Sequence, residues 1–147
     1  MRRALKAIII GGGVVGILDL AYAVLVYSPA QPILIPQTIA AGILGQKSYS
    51  GGIQTAVLGV VLHFFIAFSA AAIYWAASRR LTFLTRDALA SGPAYGAVVY
   101  FVMHAVVLPL SSVPKGGHMP LEYKILEFIE HLAFVGLPSA LAVRYTL

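Results

Sequence analysis

Residues 53–77 read IQTAVLGVVLHFFIAFSAAAIYWAA, 25 residues without a single Asp, Glu, Lys or Arg. Crossing the hydrocarbon core of a bilayer takes about 20 mostly apolar residues at about 1.5 Å of helix rise each. This stretch is expected to be a transmembrane helix whose one ionisable residue is His63. Three further stretches meet the same criterion, at 7–27, 90–110 and 121–143. Proline, which lacks an N–H, marks their connections: Pro29, Pro32 and Pro36 after the first span, and Pro109, Pro114 and Pro120 around the third connection.

The whole chain agrees with its most apolar part. Of its 147 residues 60% are hydrophobic and 10% charged, and the mean hydropathy is +0.89. Soluble domains carry about 25% charged residues, so soluble globular, disordered and fibrous classes are excluded. The expected fold is all-α: a polytopic membrane protein with four transmembrane helices, forming a single domain over residues 1–147. The connection 28–52 is itself apolar, and a short outer interfacial helix is expected at about 36–45.

The net charge is +5. Arg2, Arg3, Lys6, Arg79, Arg80, Arg86 and Arg144 fall on one side of the four spans, and Lys47, Lys115 and Lys124 on the other. The positive-inside rule then places both termini in the cytoplasm, with 28–52 and 111–120 outside. Basic residues at span ends are a topology signal and form no nucleic-acid stripe. With no cysteine, thiolate metal sites, disulfides and Cys nucleophiles are excluded.

Two N-terminal patterns mislead. Gly11-Gly12-Gly13-Val14-Val15-Gly16 matches G-x-G-x-x-G, but no acidic residue occurs at 33–38 and no βα alternation follows. Gly12 and Gly16 read better as small residues that let two helices approach, a role also expected of Gly59, Gly92 and Gly96. Residues 1–26 resemble a signal peptide ending near Ala21-Tyr22-Ala23, but the apolar run is too long and Asp19 interrupts it, so span 1 is expected to be retained.

Ionisable groups inside the spans are the informative residues: Asp19, His63, His104, Glu127, Glu130 and His131. Such a group costs about 2.5–3.5 kcal/mol near a bilayer centre and normally faces the bundle interior with a partner. Counted at about 1.5 Å per residue, all six lie roughly 9–15 Å from the outer ends of their spans. They are expected to form one buried polar layer. Asp19 shares a face with Gly12 and Gly16, and His63 with Gly59, Ala67 and Ala70. Tyr100 and His104 align on span 3, and Lys124, Glu127 and His131 on span 4. Asp19 is expected to pair with His63, and Glu127 with Lys124 or His131.

This layer admits several readings. The first is structural: interhelical hydrogen bonds in a small membrane protein without catalytic activity of its own, an accessory subunit packing on a larger complex or on itself within the lipid bilayer. The alternative is a proton or ion path, a haem held by His63 and His131, or a metal site drawing on His63, His131 and Glu127 together with Asp19 and Glu130. Haem would need room between the helices, which Gly59 and Ala67 would supply. An enzyme reading would use Ser111 or Ser112 with His104 and Glu127, but no G-x-S-x-G or H-E-x-x-H motif supports it. Tyr27, Tyr74, Trp75 and Tyr145 are expected in interfacial aromatic belts, Phe64, Phe65 and Phe68 against lipid or a partner, and His118 in solvent.

Several segments carry a family likeness: Leu18-Asp19, Leu62-His63-Phe64-Phe65-Ile66-Ala67, Ser78-Arg79-Arg80-Leu81, Tyr95-Gly96-Ala97-Val98-Val99-Tyr100 and Val107-Leu108-Pro109-Leu110-Ser111. In them the chain resembles the small bacterial inner-membrane proteins of the YagU-like kind. The resemblance covers most of spans 1–3 and does not extend to Glu127, Glu130 and His131. It implies a four-helix protein of the bacterial inner membrane and brings no activity with it.

Overall fold

Each of the four apolar stretches is a helix long and apolar enough to cross a bilayer in the computed structural model, which describes residues 2–117 and 119–146. His118 lies outside the described residues. The protein is 85% helical, with no strand among the described residues. The long helices are α1 (Arg2–Tyr27), α3 (Gly52–Ser78), α5 (Ala88–Leu110) and α6 (Leu121–Thr146). Between them lie α2 (Leu34–Leu44) and the one-turn α4 (Phe83–Arg86).

The helices α1 and α6 form the central pair, α3 flanks α1, and α5 flanks α6. Small residues set these contacts. A Cβ on Gly12 or Gly16 would strike the Phe68 or Phe64 ring of α3, and a Cβ on Gly96 the His131 carbonyl of α6. Gly92 and Gly136 face each other across the same α5–α6 seam. Of the three rings expected against lipid or a partner, Phe64 and Phe68 are seated on the glycines of α1 within the bundle, while Phe65 is 70% exposed.

The second helix does more than lie at an interface. Ala40 and Ala41 have no exposed surface, and a Cβ on Gly59 of α3 would run into the Pro36 carbonyl. Gln37 is buried and donates from Nε2 to the Gly52 carbonyl (3.1 Å), while the Ser48 hydroxyl donates to the Gln37 carbonyl (2.6 Å). The room expected at Gly59 for a haem is therefore occupied by α2.

At the end of the bundle that holds both termini, Ala7, Ala88, Ala140 and Val143 close around Tyr74. The Tyr74 hydroxyl donates to the Leu84 carbonyl (2.8 Å) and lies 2.8 Å from Ser91 Oγ. Burial of Tyr74 corrects its expected place in an aromatic belt. Tyr145 is 80% exposed.

Two wide π-helical turns interrupt α5 at Met103–Val107 and α6 at His131–Gly136. Each precedes a proline, Pro109 and Pro138. A proline inside a helix offers no N–H and crowds the carbonyl four residues back, so the preceding turn widens to relieve both.

Candidate functional site

The polar layer sits in the α2 half of the bundle, above a small apolar floor of Val15, Ala67 and Val135. Each of its carboxylates meets an imidazole. Asp19 Oδ2 of α1 lies 3.8 Å from His63 Nε2 of α3. Glu127 Oε2 of α6 lies 3.4 Å from His104 Nε2 of α5. Glu130 Oε2 lies 2.8 Å from Nδ1 of the adjacent His131. The Asp19–His63 pair is the one the sequence suggests. Glu127 pairs with neither expected side chain: Lys124 is exposed, and His131 reaches only the Glu127 backbone.

Backbone carbonyls fix the rings. A carbonyl only accepts, so the nitrogen beside it carries the hydrogen. His63 Nε2 donates to the Gly16 carbonyl (2.9 Å), which the absence of a side chain on Gly16 leaves open. His104 Nδ1 donates to the Tyr100 carbonyl (3.0 Å) and His131 Nδ1 to the Glu127 carbonyl (2.9 Å), both one turn back. Tyr100 ties the two rings together, stacking on His104 at 4.1 Å between centroids and meeting His131 edge-on at 5.4 Å.

Burial differs among the six. His63 and Glu130 are 8% and 4% exposed, and Asp19, His104, Glu127 and His131 are half-buried. Two carboxylate oxygens, Glu127 Oε2 and Glu130 Oε1, are buried without a hydrogen-bond partner. The Glu127–His104 contact is close but not aligned as a hydrogen bond. Buried polar atoms are normally satisfied, because an unmet one costs about 1–3 kcal/mol.

Asp19, Glu130 and His131 each place one potential ligand atom within 4.8 Å of the other two. Of the five residues that the sequence offers to a metal, Asp19, Glu130 and His131 form this group, while His63 and Glu127 stand apart from it. His131 Nδ1 faces both the Glu127 carbonyl (2.9 Å) and Glu130 Oε2 (2.8 Å).

Beside the layer, α3 and α5 part and leave a cleft of about 480 Å³, with Asp19, His63 and Glu127 in its wall. Ile35, Ile39 and Ile43 of α2 border it, and Val99 and Met103 of α5 form one side. Ser111 also lines it, but its hydroxyl donates to the Leu108 carbonyl (2.8 Å), and the Ser112 amide is bound to the Gly42 carbonyl (2.9 Å). The Ser111 hydroxyl is thus turned onto its own helix and not onto His104. Sequence reasoning missed Gly136, Gln37, Tyr100 as the link between two histidines, and the cleft itself. Pro138 following Gly136, and a Gln within an apolar connection, were the available signals.

Comparison with family models, with curated proteins and with solved structures finds no match for this chain.

Proposed function

We propose that this chain is an integral membrane protein that binds a small cation within its helix bundle, at Asp19, Glu130 and His131. The observation that carries this reading is the buried Glu130 Oε1, which lacks a hydrogen-bond partner beside a second carboxylate and an imidazole. Two carboxylates held together away from water need a positive charge between them. A donor set of two carboxylates and one imidazole suits a borderline divalent metal such as zinc, manganese or iron, as well as a proton.

Interhelical glue alone favours closing every polar atom onto a protein partner, and this site leaves one open. The accessory-subunit reading rests on the lack of any sizeable extramembrane element among the described residues, and it stands if no cation binds. Kinship with the YagU-like proteins, and with it a bacterial inner membrane with both termini cytoplasmic, belongs to the same proposal. Its support is the segments in spans 1–3 and the bias of Lys and Arg toward the terminal side.

The test is cobalt(II) titration of the purified protein in detergent, read by its visible absorption. Saturable binding of one ion, displaced by zinc and lost in Asp19→Asn and Glu130→Gln, is the expected result. An unchanged spectrum with all of cobalt, zinc and manganese silent in calorimetry overturns metal binding and leaves the structural reading.

A further inference from the structure

We propose that the cleft between α3 and α5 takes a lipophilic cation, an ammonium or phosphonium centre carrying apolar substituents, with its charge against Asp19 and Glu127. The inference rests on reading the polar layer as a cation-handling site, and it names a class of larger ligand for it.

The size is appropriate. The cleft encloses about 480 Å³, and small-molecule sites run from about 300 to 1,000 Å³. Its wall is mostly apolar, with Leu20, Leu62, Phe65, Ile66, Val99 and Met103 among the lining side chains. The rim is open: Phe65 is 70% exposed, Ile43 61% and Leu108 39%. This opening lies on the flank of the bundle, between two helices whose outer faces are apolar. A ligand dissolved in the hydrocarbon reaches it sideways without passing through water.

The polar groups of the wall decide the charge. No Lys or Arg lines the cleft among the described residues. The hydrogens on its polar side chains are already spent: Thr38 donates to the Leu34 carbonyl, Ser111 to the Leu108 carbonyl, and His63 Nε2 to the Gly16 carbonyl. What remains is two carboxylates, each with an imidazole on one side: Asp19 lies 3.8 Å from His63, and Glu127 lies 3.4 Å from His104 without a hydrogen bond between them. An anionic head would meet two negative groups and no donor. A small hydrated ammonium would lose its water to an apolar wall. A cation whose substituents are themselves apolar gains on both counts, because its body replaces lipid contacts while its charge meets carboxylates in a low dielectric.

The experiment uses the full chain in lipid nanodiscs with tetraphenylphosphonium and tetraphenylborate, ions of one shape and opposite charge. Saturable binding of the phosphonium at one per chain, without comparable binding of the borate, is expected. Glu127→Gln should weaken it at least tenfold. Gly42→Leu should do the same by filling the cleft. Gly42 lines the cleft, and a Cβ there meets only Ser111 Cβ at 3.9 Å, so this variant keeps the test usable should Glu127→Gln not fold. Cobalt absorption of the Gly42→Leu protein should be unchanged.

Equal binding of both ions, or phosphonium binding that neither variant disturbs, overturns the proposal. So does a phospholipid held in the cleft that the phosphonium cannot displace. Phosphonium binding in a protein that ignores cobalt leaves the cleft standing and removes the metal site, and the reverse result removes the cleft alone.

Discussion

The two halves of this bundle bury polar groups differently. At the terminal end, Tyr74 has no exposed surface, yet its hydroxyl meets both Leu84 and Ser91. Tyr95 crosses from α5 to donate to the Ala70 carbonyl (2.7 Å), and Ser139 turns back onto the Val135 carbonyl (2.7 Å). Among the described residues, only Trp75 Nε1 is left open there. At the α2 end Gln37 and Ser48 are closed in the same way, but ionisable groups are added, two carboxylate oxygens and the Tyr27 hydroxyl stay unmet, and the helices part around a cleft. One half closes itself, and the other is held open at an energetic cost. On the proposed reading, folding belongs to the first half and cation binding to the second.

The largest effect should come from the seam that both halves share. A Cβ on Gly136 would strike the Gly92 carbonyl and the Gly96 amide, which are backbone atoms that cannot step aside. Gly136→Leu should cost about 3 kcal/mol or more by forcing α5 off α6. Loss of the folded band in detergent, or a melting point too low to measure, would show it. A variant of wild-type stability would mean that this seam is not a close contact, and the comparison of halves would lose its frame.

Much of this architecture is legible in the sequence because lipid leaves few options. Charge-free runs of this length are helices, and rare ionisable residues inside them turn inward, as Glu130 and His63 do. The partners of those residues are harder to read. Reading Lys124, Glu127 and His131 as one stripe assumes uniform turns, and α6 leaves that spacing at His131 itself. Lys124 and Glu127 both precede that wide turn on regular helix, and the partner of Glu127 is His104 of another helix, a contact that spacing within one helix does not record. Pro36 over Gly59 and Phe64 over Gly16 are contacts between distant segments, and apolar periodicity records only that a face is buried. The cleft is a gap between helices and leaves no mark in any one of them.

Single-atom changes sharpen the contrast between halves through their sign. Tyr74→Phe removes a satisfied hydroxyl from the closed half. It should lower stability by about 1.5 kcal/mol in a chemical or thermal unfolding series and leave cobalt binding as it was. Glu130→Gln removes a charge from the open half. It keeps an oxygen for His131 Nδ1 and turns the unmet oxygen into an N–H₂ donor toward Asp19. The metal-free protein should gain up to about 1 kcal/mol while losing the ion. If Glu130→Gln instead destabilises the metal-free protein as Tyr74→Phe does, the polar layer is glue after all, and the two halves are of one kind.

The smallest effect tests whether the exterior is as empty as it looks. Gly13 lies between the packing glycines of α1, yet a Cβ placed on it meets nothing within 4 Å. In a helix interior, alanine is better than glycine by about 0.5–1 kcal/mol, because glycine gives up more backbone freedom on folding. Gly13→Ala should therefore raise stability by that amount and leave the oligomeric state in detergent unchanged. Its neighbours Gly12 and Gly16 should show the opposite sign, since their added methyls meet the Phe68 and Phe64 rings. Should Gly13→Ala weaken the protein, or split a dimer into monomers, the empty face would be a close-packed contact with a second chain. The accessory-subunit reading would then gain the surface it needs, on the face of α1 turned away from α3.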